Sequence, residues 1–269
     1  MHTPGDWRQE IRAGRWRRPT AGLAPGYAQA NLVIVPEADA ADFLLFCQRN
    51  PAPCPLLEVT RSGDAEPRAS APGADLRTDV PRYRVYVDGE LAGEWDDLRE
   101  VWRPDFVAFL LGCSFTFEEA LQRAGMPIRH IQRRSNVSMY VTNRMCEPAG
   151  RFHGPLVVSM RPFAAADVPR VVAITGRYPR AHGGPVHVGD PEALGIQDLR
   201  RPDFGEPVPI EPGEIPVFWA CGVTPQAVAQ RARLPLVITH APGHMFITDL
   251  KAESTAETTL AGALGREQR

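Results

Sequence analysis

The chain of 269 residues lacks several features that would place it in a familiar class of protein. Its five cysteines are odd in number and form no CxxC pair, which argues against a disulfide framework and a structural zinc site. Its 30 Lys and Arg residues are offset by 32 Asp and Glu residues, so no basic excess favours nucleic acid as a partner. The longest apolar run, 106–113, is far shorter than the ~20 residues that span a bilayer. We therefore predict no membrane anchor.

Signals for secretion and for nucleotide binding are also absent. Residues 1–7 contain no apolar core of the kind that a secretion signal needs, although five arginines follow between residues 8 and 18. No GxGxxG or Walker pattern occurs, which argues against a nucleotide cofactor. We therefore expect a cytoplasmic protein in a reducing compartment, and we expect no cofactor.

The composition is that of a globular chain, with 43% hydrophobic and 23% charged residues. Near the start, a strand at 30–35, a helix at 38–49 and a strand at 55–60 alternate as in a layered α/β fold. A hairpin is predicted at 83–95 around Asp88-Gly89. Helices are predicted at 105–111 and 117–124, the second with Thr116 as its capping residue.

The pattern changes at residue 128. Short strands at 128–131, 139–142, 156–161 and 185–188, with a helix at 165–177, predict a compact α+β sandwich. A strand at 216–220, a helix from Thr224 and a strand at 236–239 then restore the alternation of strands and helices. We therefore predict an α/β protein with a layered α/β main domain, 1–124 and 195–250. A smaller α+β domain, 125–194, is inserted into it, and 251–269 is a polar tail that frays.

A turn that begins at Cys221 is the first candidate for chemistry. It lies between an apolar strand and a helix start, so its backbone N–H groups could bind an anion, and the helix dipole would lower the pKa of the thiol. Thr224 and Gln226 are then candidate substrate ligands. Taken alone, the turn favours a structural alternative, in which Thr224 caps the helix and Cys221 is a buried core residue.

Two histidine clusters lie on turns. His240 and His244 follow a strand, where an acid/base group or a metal ligand would be presented. His182, His187 and Asp190 form a second cluster of similar type. In either cluster, the histidines could instead bond only to loop backbone.

Arginine and amide side chains supply further candidates. The guanidinium of Arg161 suits a substrate carboxylate because it can bond both oxygens, and Asn136 belongs to the same group of short strands. An ion pair is the alternative for any one arginine. Ser114 or Cys113 would become a nucleophile if a histidine approached, but helix-turn packing is the favoured interpretation.

Seven phrases, in one order, resemble motifs of the D-glutamate cyclase family, whose members are described as hydro-lyases. The resemblance spans about residues 12–250, with small departures at Ser138, where proline is expected, and at Gly184, where alanine is expected. The phrases lie at 19–31, 46–51, 54–58, 111–115, 158–162, 218–226 and 239–245.

The resemblance implies a carbon–oxygen lyase that closes D-glutamate to 5-oxo-D-proline with loss of water. This chemistry requires a base, an acid, donors for an oxyanion and a cation for the α-carboxylate. Our hypothesis gives acid/base roles to His240 or His244, the oxyanion to the N–H groups after Cys221, and the carboxylate to Arg161.

Other interpretations stay open at this stage. The protein could be a hydro-lyase that acts on another small hydroxy or amino acid, or a non-catalytic carboxylate-binding subunit of a 5-oxoproline-processing system. The histidines and aspartates also leave a divalent metal open, although their spacing defines no site. A homo-oligomer is likewise neither indicated nor excluded.

Overall fold

The computed structural model describes residues 2–256, which form six α-helices and eleven strands. The helices are α1 (Pro4–Arg12), α2 (Glu37–Arg49), α3 (Phe115–Arg123), α4 (Arg129–Arg133), α5 (Val168–Thr175) and α6 (Val223–Arg231). The strands are β1 (Tyr27–Pro36), β2 (Leu56–Val59), β3 (Tyr83–Val87), β4 (Glu90–Trp95), β5 (Phe106–Gly112), β6 (Ser138–Met145), β7 (Pro155–Ala164), β8 (His187–Val188), β9 (Glu214–Ala220), β10 (Val237–His240) and β11 (Phe246–Lys251). Helices on two sheets confirm the α/β class.

The larger sheet is antiparallel and is organised around β1. Its order is β2-β5-β1-β10-β3-β4, and β11 also pairs with β1. One edge of β1 meets β5 along its length, whereas the other edge meets β10 at Val33 and Ile34 and β11 at Tyr27, Gln29 and Ala30. The ladder on this second edge is interrupted at Asn31 and Leu32, where the chain leaves β10 for a turn. Polar groups of β1 are therefore open to side chains at that point.

Two predicted elements have another type in the structure, and two observed elements were not predicted. The predicted helix at 105–111 is the strand β5, in which all seven residues are buried. A strand buried on both faces is apolar throughout, and such a run has no period that separates it from a buried helix. The predicted strand at 128–131 lies instead at the start of the short helix α4. Helix α1 and strand β11 were not predicted.

The smaller sheet is also antiparallel, with the order β6-β7-β9-β8. Strand β9 pairs with β7 from Val158 opposite Ala220 to Ala164 opposite Glu214. The sequence pattern did not indicate this pairing, because an apolar strand does not identify its partner when the connection to it is long. The domain bounds 1–124, 125–194 and 195–250 stay a prediction.

Aromatic packing fills the space between the helices and both sheets. The Phe43 ring of α2 packs edge-to-face against Phe109 of β5, with ring centroids 4.8 Å apart, and Trp219 of β9 packs against Phe117 of α3.

Within residues 2–256, no helix is long and apolar enough to cross a membrane. Of the predicted tail, Lys251 ends β11, residues 252–255 form one 3₁₀ turn, and residues 257–269 lie outside the described residues.

Candidate functional site

Six chain segments meet at a small cavity between the two sheets. They are β1 at Asn31, the end of β5, the stretch 136–139 at the start of β6, the turn around His182, the junction of β9 with α6, and the end of β10 with the turn that follows it. The cavity measures about 20 Å³, which is room for one water-sized group. In the described chain, none of its lining residues is Asp, Glu, Lys or Arg. Its polar lining consists of Asn31, Cys113, Ser114, Asn136, His182, Cys221 and His240.

Glycines allow these segments to approach one another closely. A Cβ at Gly112 would lie 1.7 Å from the carbonyl oxygen of Arg180, and a Cβ at Gly222 would lie 2.0 Å from the Asn31 amide. At Gly243, where φ is +82°, a Cβ would lie 2.6 Å from the Asn136 side chain. Since contacts this short are sterically forbidden, the three glycines set the shape of the cavity.

His182 is buried, and one of its ring nitrogens has no hydrogen-bond partner within residues 2–256. Its Nδ1 lies 2.7 Å from the carbonyl oxygen of Ala52, and because a carbonyl only accepts, Nδ1 carries the proton and Nε2 keeps a lone pair. Burial lowers the pKa of His182 to about 4, so the ring is neutral at pH 7. Its backbone φ of +76° lies in the left-handed region, which is costly for a residue with a side chain.

His240 lines the same cavity, but both of its ring nitrogens are engaged. The Leu32 N–H, left open by the interrupted ladder, donates to Nδ1 at 3.0 Å, whereas the Leu32 carbonyl is farther away at 3.3 Å. The side-chain nitrogen of Gln226 lies 2.9 Å from His240 Nε2 and 3.1 Å from Nδ1, so both ring nitrogens have a polar partner whichever of them carries the proton. Burial lowers the pKa of His240 to about 3.

The two thiols of the cavity are in the neutral form. Burial raises the pKa of Cys221 to about 11, even though the N–H groups of Val223 and Gly222 and the charge of Arg161 act in the opposite direction. Burial likewise raises the pKa of Cys113 to about 12. The expectation of a lowered thiol pKa at Cys221 is therefore wrong, because desolvation outweighs the helix terminus.

Ser114 is fixed by a buried ionic network behind the cavity. Arg161 donates to the Ser114 hydroxyl oxygen at 2.9 Å and to the Ser159 hydroxyl at 3.0 Å, and it forms an ion pair with Glu118. His130 lies 3.1 Å from the same Glu118 oxygen. Burial opposes ionisation of Glu118, but the charges of His130 and Arg161 outweigh it and lower the Glu118 pKa. Arg161 thus contacts a residue that lines the cavity and does not line the cavity itself.

Several residues predicted for the site have other surroundings. The Thr224 hydroxyl bonds to the backbone of Val157 and so joins α6 to β7. His244 lines a separate, open pocket of about 340 Å³ that also contains Arg82, Arg84 and Glu94. The His187 ring bonds the Asp190 carbonyl, and the Asp190 carboxylate accepts from the Glu192 N–H. Of the ten candidates, His182, His240, Cys221 and Asn136 line the cavity, and Gln226 and Arg161 hold residues that do.

The sequence prediction missed Asn31 and Glu118, and it favoured a structural role for Ser114. Asn31 donates to the Gly112 carbonyl at 2.7 Å and so links β1 to the end of β5. Both Asn31 and Ser114 belong to phrases that carry the family resemblance, 19–31 and 111–115, and polar residues at the ends of apolar runs were the available signal.

A metal site is not formed by the described residues. Between residues 2 and 256, no group of three or more His, Cys, Asp or Glu side chains is placed to hold a metal ion. The histidines considered as ligands are divided among the cavity, the pocket of His244 and the surface around His187.

Known proteins resemble this chain over most of its length. A relative from Rubrobacter xylanophilus is 66% identical over 93% of this chain and 97% of its own, and one from Stutzerimonas stutzeri is 63% identical over 93% and 95%. A third, from Geobacillus kaustophilus, is 61% identical over 91% and 94%. Each carries the name "Putative hydro-lyase".

A solved structure and a family model also match. A nitrogen repressor-like protein from Methanococcus jannaschii covers 89% of this chain and 96% of its own, with a TM-score of 0.37 and 9% identity, too weak a likeness to indicate a shared fold. The family model described as D-glutamate cyclase matches residues 107–249, which include β5 apart from its first residue, the His182 turn, the β9–α6 junction and the turn after β10. The chain therefore belongs to the D-glutamate cyclase family.

Proposed function

We propose that the protein is a hydro-lyase that closes D-glutamate to 5-oxo-D-proline and releases water. One observation carries this proposal: a buried cavity without charged side chains contains the neutral His182, whose Nε2 is an acceptor, together with neutral thiol, hydroxyl and backbone N–H donors. Family membership and the names of the relatives support the reaction class.

The reaction moves two protons from nitrogen to oxygen. The substrate amine forms a bond to the side-chain carboxyl carbon, one C–O bond breaks, and the oxygen leaves as water with both protons from the ammonium group. In our proposal, His182 Nε2 carries the two protons one at a time. It takes the first from the ammonium group, so that the neutral amine can attack, and passes it to the carboxyl oxygen; after the attack it takes the second from the nitrogen and gives it to the departing oxygen. Because the pKa of the ring is lowered to about 4, the ring is a strong acid once protonated, so donation to the departing oxygen is the easier step and removal of a proton from the ammonium group is the harder one.

The tetrahedral oxyanion needs donors that are already in place. Arg161 donates to the oxygen of Ser114, so the hydroxyl proton of Ser114 is free to point into the cavity. The backbone at Gly222 and Val223, at the N-terminus of α6, borders the same space. We assign the oxyanion to these groups, because fixed donors in a water-excluded site stabilise developing charge strongly. Arg161 then acts as a positioning residue.

The cavity must widen for this reaction to occur. Its volume of about 20 Å³ holds one water-sized group, and an amino acid is several times larger. Asn136 lines the cavity and also borders two larger openings, of about 440 Å³ and about 340 Å³. We propose that substrate enters by displacing Asn136, and that closure afterwards excludes water.

Chiral chromatography tests the proposal. The protein is incubated with D-glutamate, with L-glutamate and with each 5-oxoproline enantiomer, in parallel samples with and without a chelator. We expect 5-oxo-D-proline from D-glutamate alone, at a rate that the chelator does not change. Turnover of none of these compounds would contradict the proposal. Binding of acidic amino acids without turnover would favour a carboxylate-binding subunit.

A further inference from the structure

A wide groove adjoins the cavity and shares Asn136 with it. The groove measures about 440 Å³ and lies between the loop after α1 and the end of α4. Charged and polar side chains line it: Arg18, Arg134, Ser135, Asn136 and Glu206. The cavity itself has no cationic side chain, so recognition of a carboxylate outside the reacting group must come from a neighbouring surface.

Two arginines line the groove without an ion pair. Fifteen of the 27 arginines within residues 2–256 form ion pairs, as Arg12 does with Asp79 and Arg129 with Glu214. Within residues 2–256, Arg18 and Arg134 have no carboxylate partner; the Arg18 guanidinium instead lies over the Trp16 ring, 4.4 Å from its centroid. Two free guanidinium groups in one groove are suited to a carboxylate, whose two oxygens each can bind one of them.

The backbone adds a second indication at Arg134. Its φ of +56° puts it in the left-handed region at the end of α4, where glycine would avoid the steric cost. The next residue, Ser135, has a buried hydroxyl without a hydrogen-bond partner in the described chain. A buried hydroxyl without a partner is costly, and a ligand in the groove would supply one.

Glu206 lies at the side of the groove that is next to the cavity. Its Oε1 accepts from the Asn136 N–H at 3.1 Å, so its carboxylate lies on the side of the groove next to the cavity. We propose that this groove binds the α-amino-acid head of the substrate, an inference that rests on the proposed function. Arg18 and Arg134 hold the α-carboxylate, Glu206 attracts the α-ammonium group beside the cavity, and the side-chain carboxyl extends inward to His182.

Single substitutions test this assignment. Arg18→Gln and Arg134→Gln remove the charge at the groove, and Arg133→Gln, on an exposed neighbour that does not line the groove, is the matched control. We expect each groove variant to raise KM for D-glutamate about tenfold, the loss of one charge-assisted hydrogen bond, with kcat changed less than about threefold. The preference for D-glutamate over its α-amide should fall in both variants, because the amide lacks the carboxylate charge that the two arginines recognise.

Binding of 5-oxo-D-proline, which keeps the α-carboxylate, is measured by calorimetry in the same variants. If the wild-type protein turns over D-glutamate but the groove variants behave like Arg133→Gln, the inference is overturned. It is equally overturned if the variants weaken the acid and its α-amide by the same factor. If arginine-dependent binding occurs without any turnover, the inference stands and the cyclase proposal falls. Absence of both binding and turnover overturns both.

Discussion

Two histidines line the cavity, His182 and His240, and they differ in whether one ring nitrogen is left without a hydrogen-bond partner. His182 gives one ring nitrogen to the Ala52 carbonyl and keeps the other as an acceptor. His240 closes a gap in the β1 ladder, where Leu32 and Gln226 engage both of its ring nitrogens. Burial and neutrality are common to the two rings. The number of free ring nitrogens therefore decides which one is suited to proton transfer, and it favours His182 for catalysis and His240 for structure.

The strongest test of this comparison is substitution of His182. In His182→Asn, the side-chain amide can still donate to Ala52, but no base remains at the cavity. We expect kcat to fall about a thousandfold, the contribution of a positioned general acid/base group. His240→Asn should cost folding stability more than rate. Equal losses of kcat in the two variants, each corrected for the folded fraction, would break the distinction.

Moving the His182 turn without changing its chemistry should have the next largest effect. In Gly112→Ala, the added Cβ would lie 1.7 Å from the Arg180 carbonyl, so the turn must shift away from β5. We expect a loss of about a hundredfold in kcat, since a displacement of about 1 Å has this cost in other enzymes.

Gly184→Ala is the control for that variant. It lies in the same turn, its φ is not positive, and its Cβ would meet nothing closer than 3.7 Å. We expect kcat and unfolding free energy close to those of the wild-type protein. A similar loss of kcat in both variants would mean that the turn tolerates no side chain for reasons other than contact with β5.

The free energy of unfolding should decrease as the pH is lowered, because both cavity histidines stay neutral in the folded protein. The pKa of His182 is lowered from 6.5 to about 4, and that of His240 from 6.5 to about 3. As pH falls below 6.5, the unfolded chain binds protons that the folded chain does not, so folding loses stability until each folded pKa is reached. Removal of one histidine should reduce the slope by up to about 1.4 kcal/mol per pH unit.

Urea unfolding of the wild-type protein, His182→Asn and His240→Asn between pH 7 and pH 5 measures that slope. The two variants should each lose stability less steeply than the wild-type protein does. If the three slopes coincide, the rings are protonated in the folded state and the base assigned to the cavity does not exist.

The smallest effect is expected at His244. It lies in the turn after β10 but lines the separate pocket with Arg82 and Glu94. His244→Asn should leave kcat within about twofold of the wild-type value, as is usual for substitutions away from a site. A large loss in a steady-state assay would return His244 to the catalytic role that the sequence suggested.

Part of this site was accessible from the sequence. The phrases 218–226 and 239–245 led to Cys221 and His240, because a polar residue at the end of an apolar strand is presented at a sheet edge. The free nitrogen of His182 was not accessible, because it depends on the Ala52 carbonyl, 130 residues away in sequence. The thiol pKa of Cys221 was predicted in the wrong direction, since burial depends on packing that local sequence does not specify.

Dependence on tertiary packing also explains which parts of the fold the sequence did not predict. The strand predicted at 83–87 has these bounds in the structure, and the strand predicted at 236–239 is shifted by one residue, to 237–240. In contrast, β5, which is buried on both faces, has a sequence pattern that resembles a helix. The pairing of β9 with β7 depends on tertiary contacts, so the sequence pattern did not indicate it. A cytoplasmic location, independence of metal and the oligomeric state remain predictions.

The most direct test of the account is the protonation state of His182. Nitrogen-15 NMR of protein labelled at its seven histidines, with His182→Asn used to assign the signal, reports which ring nitrogen carries the proton. We predict a neutral ring at pH 7 with the proton on Nδ1 and an unprotonated Nε2. An imidazolium, or a neutral ring protonated on Nε2, would contradict the assignment of His182 as the base.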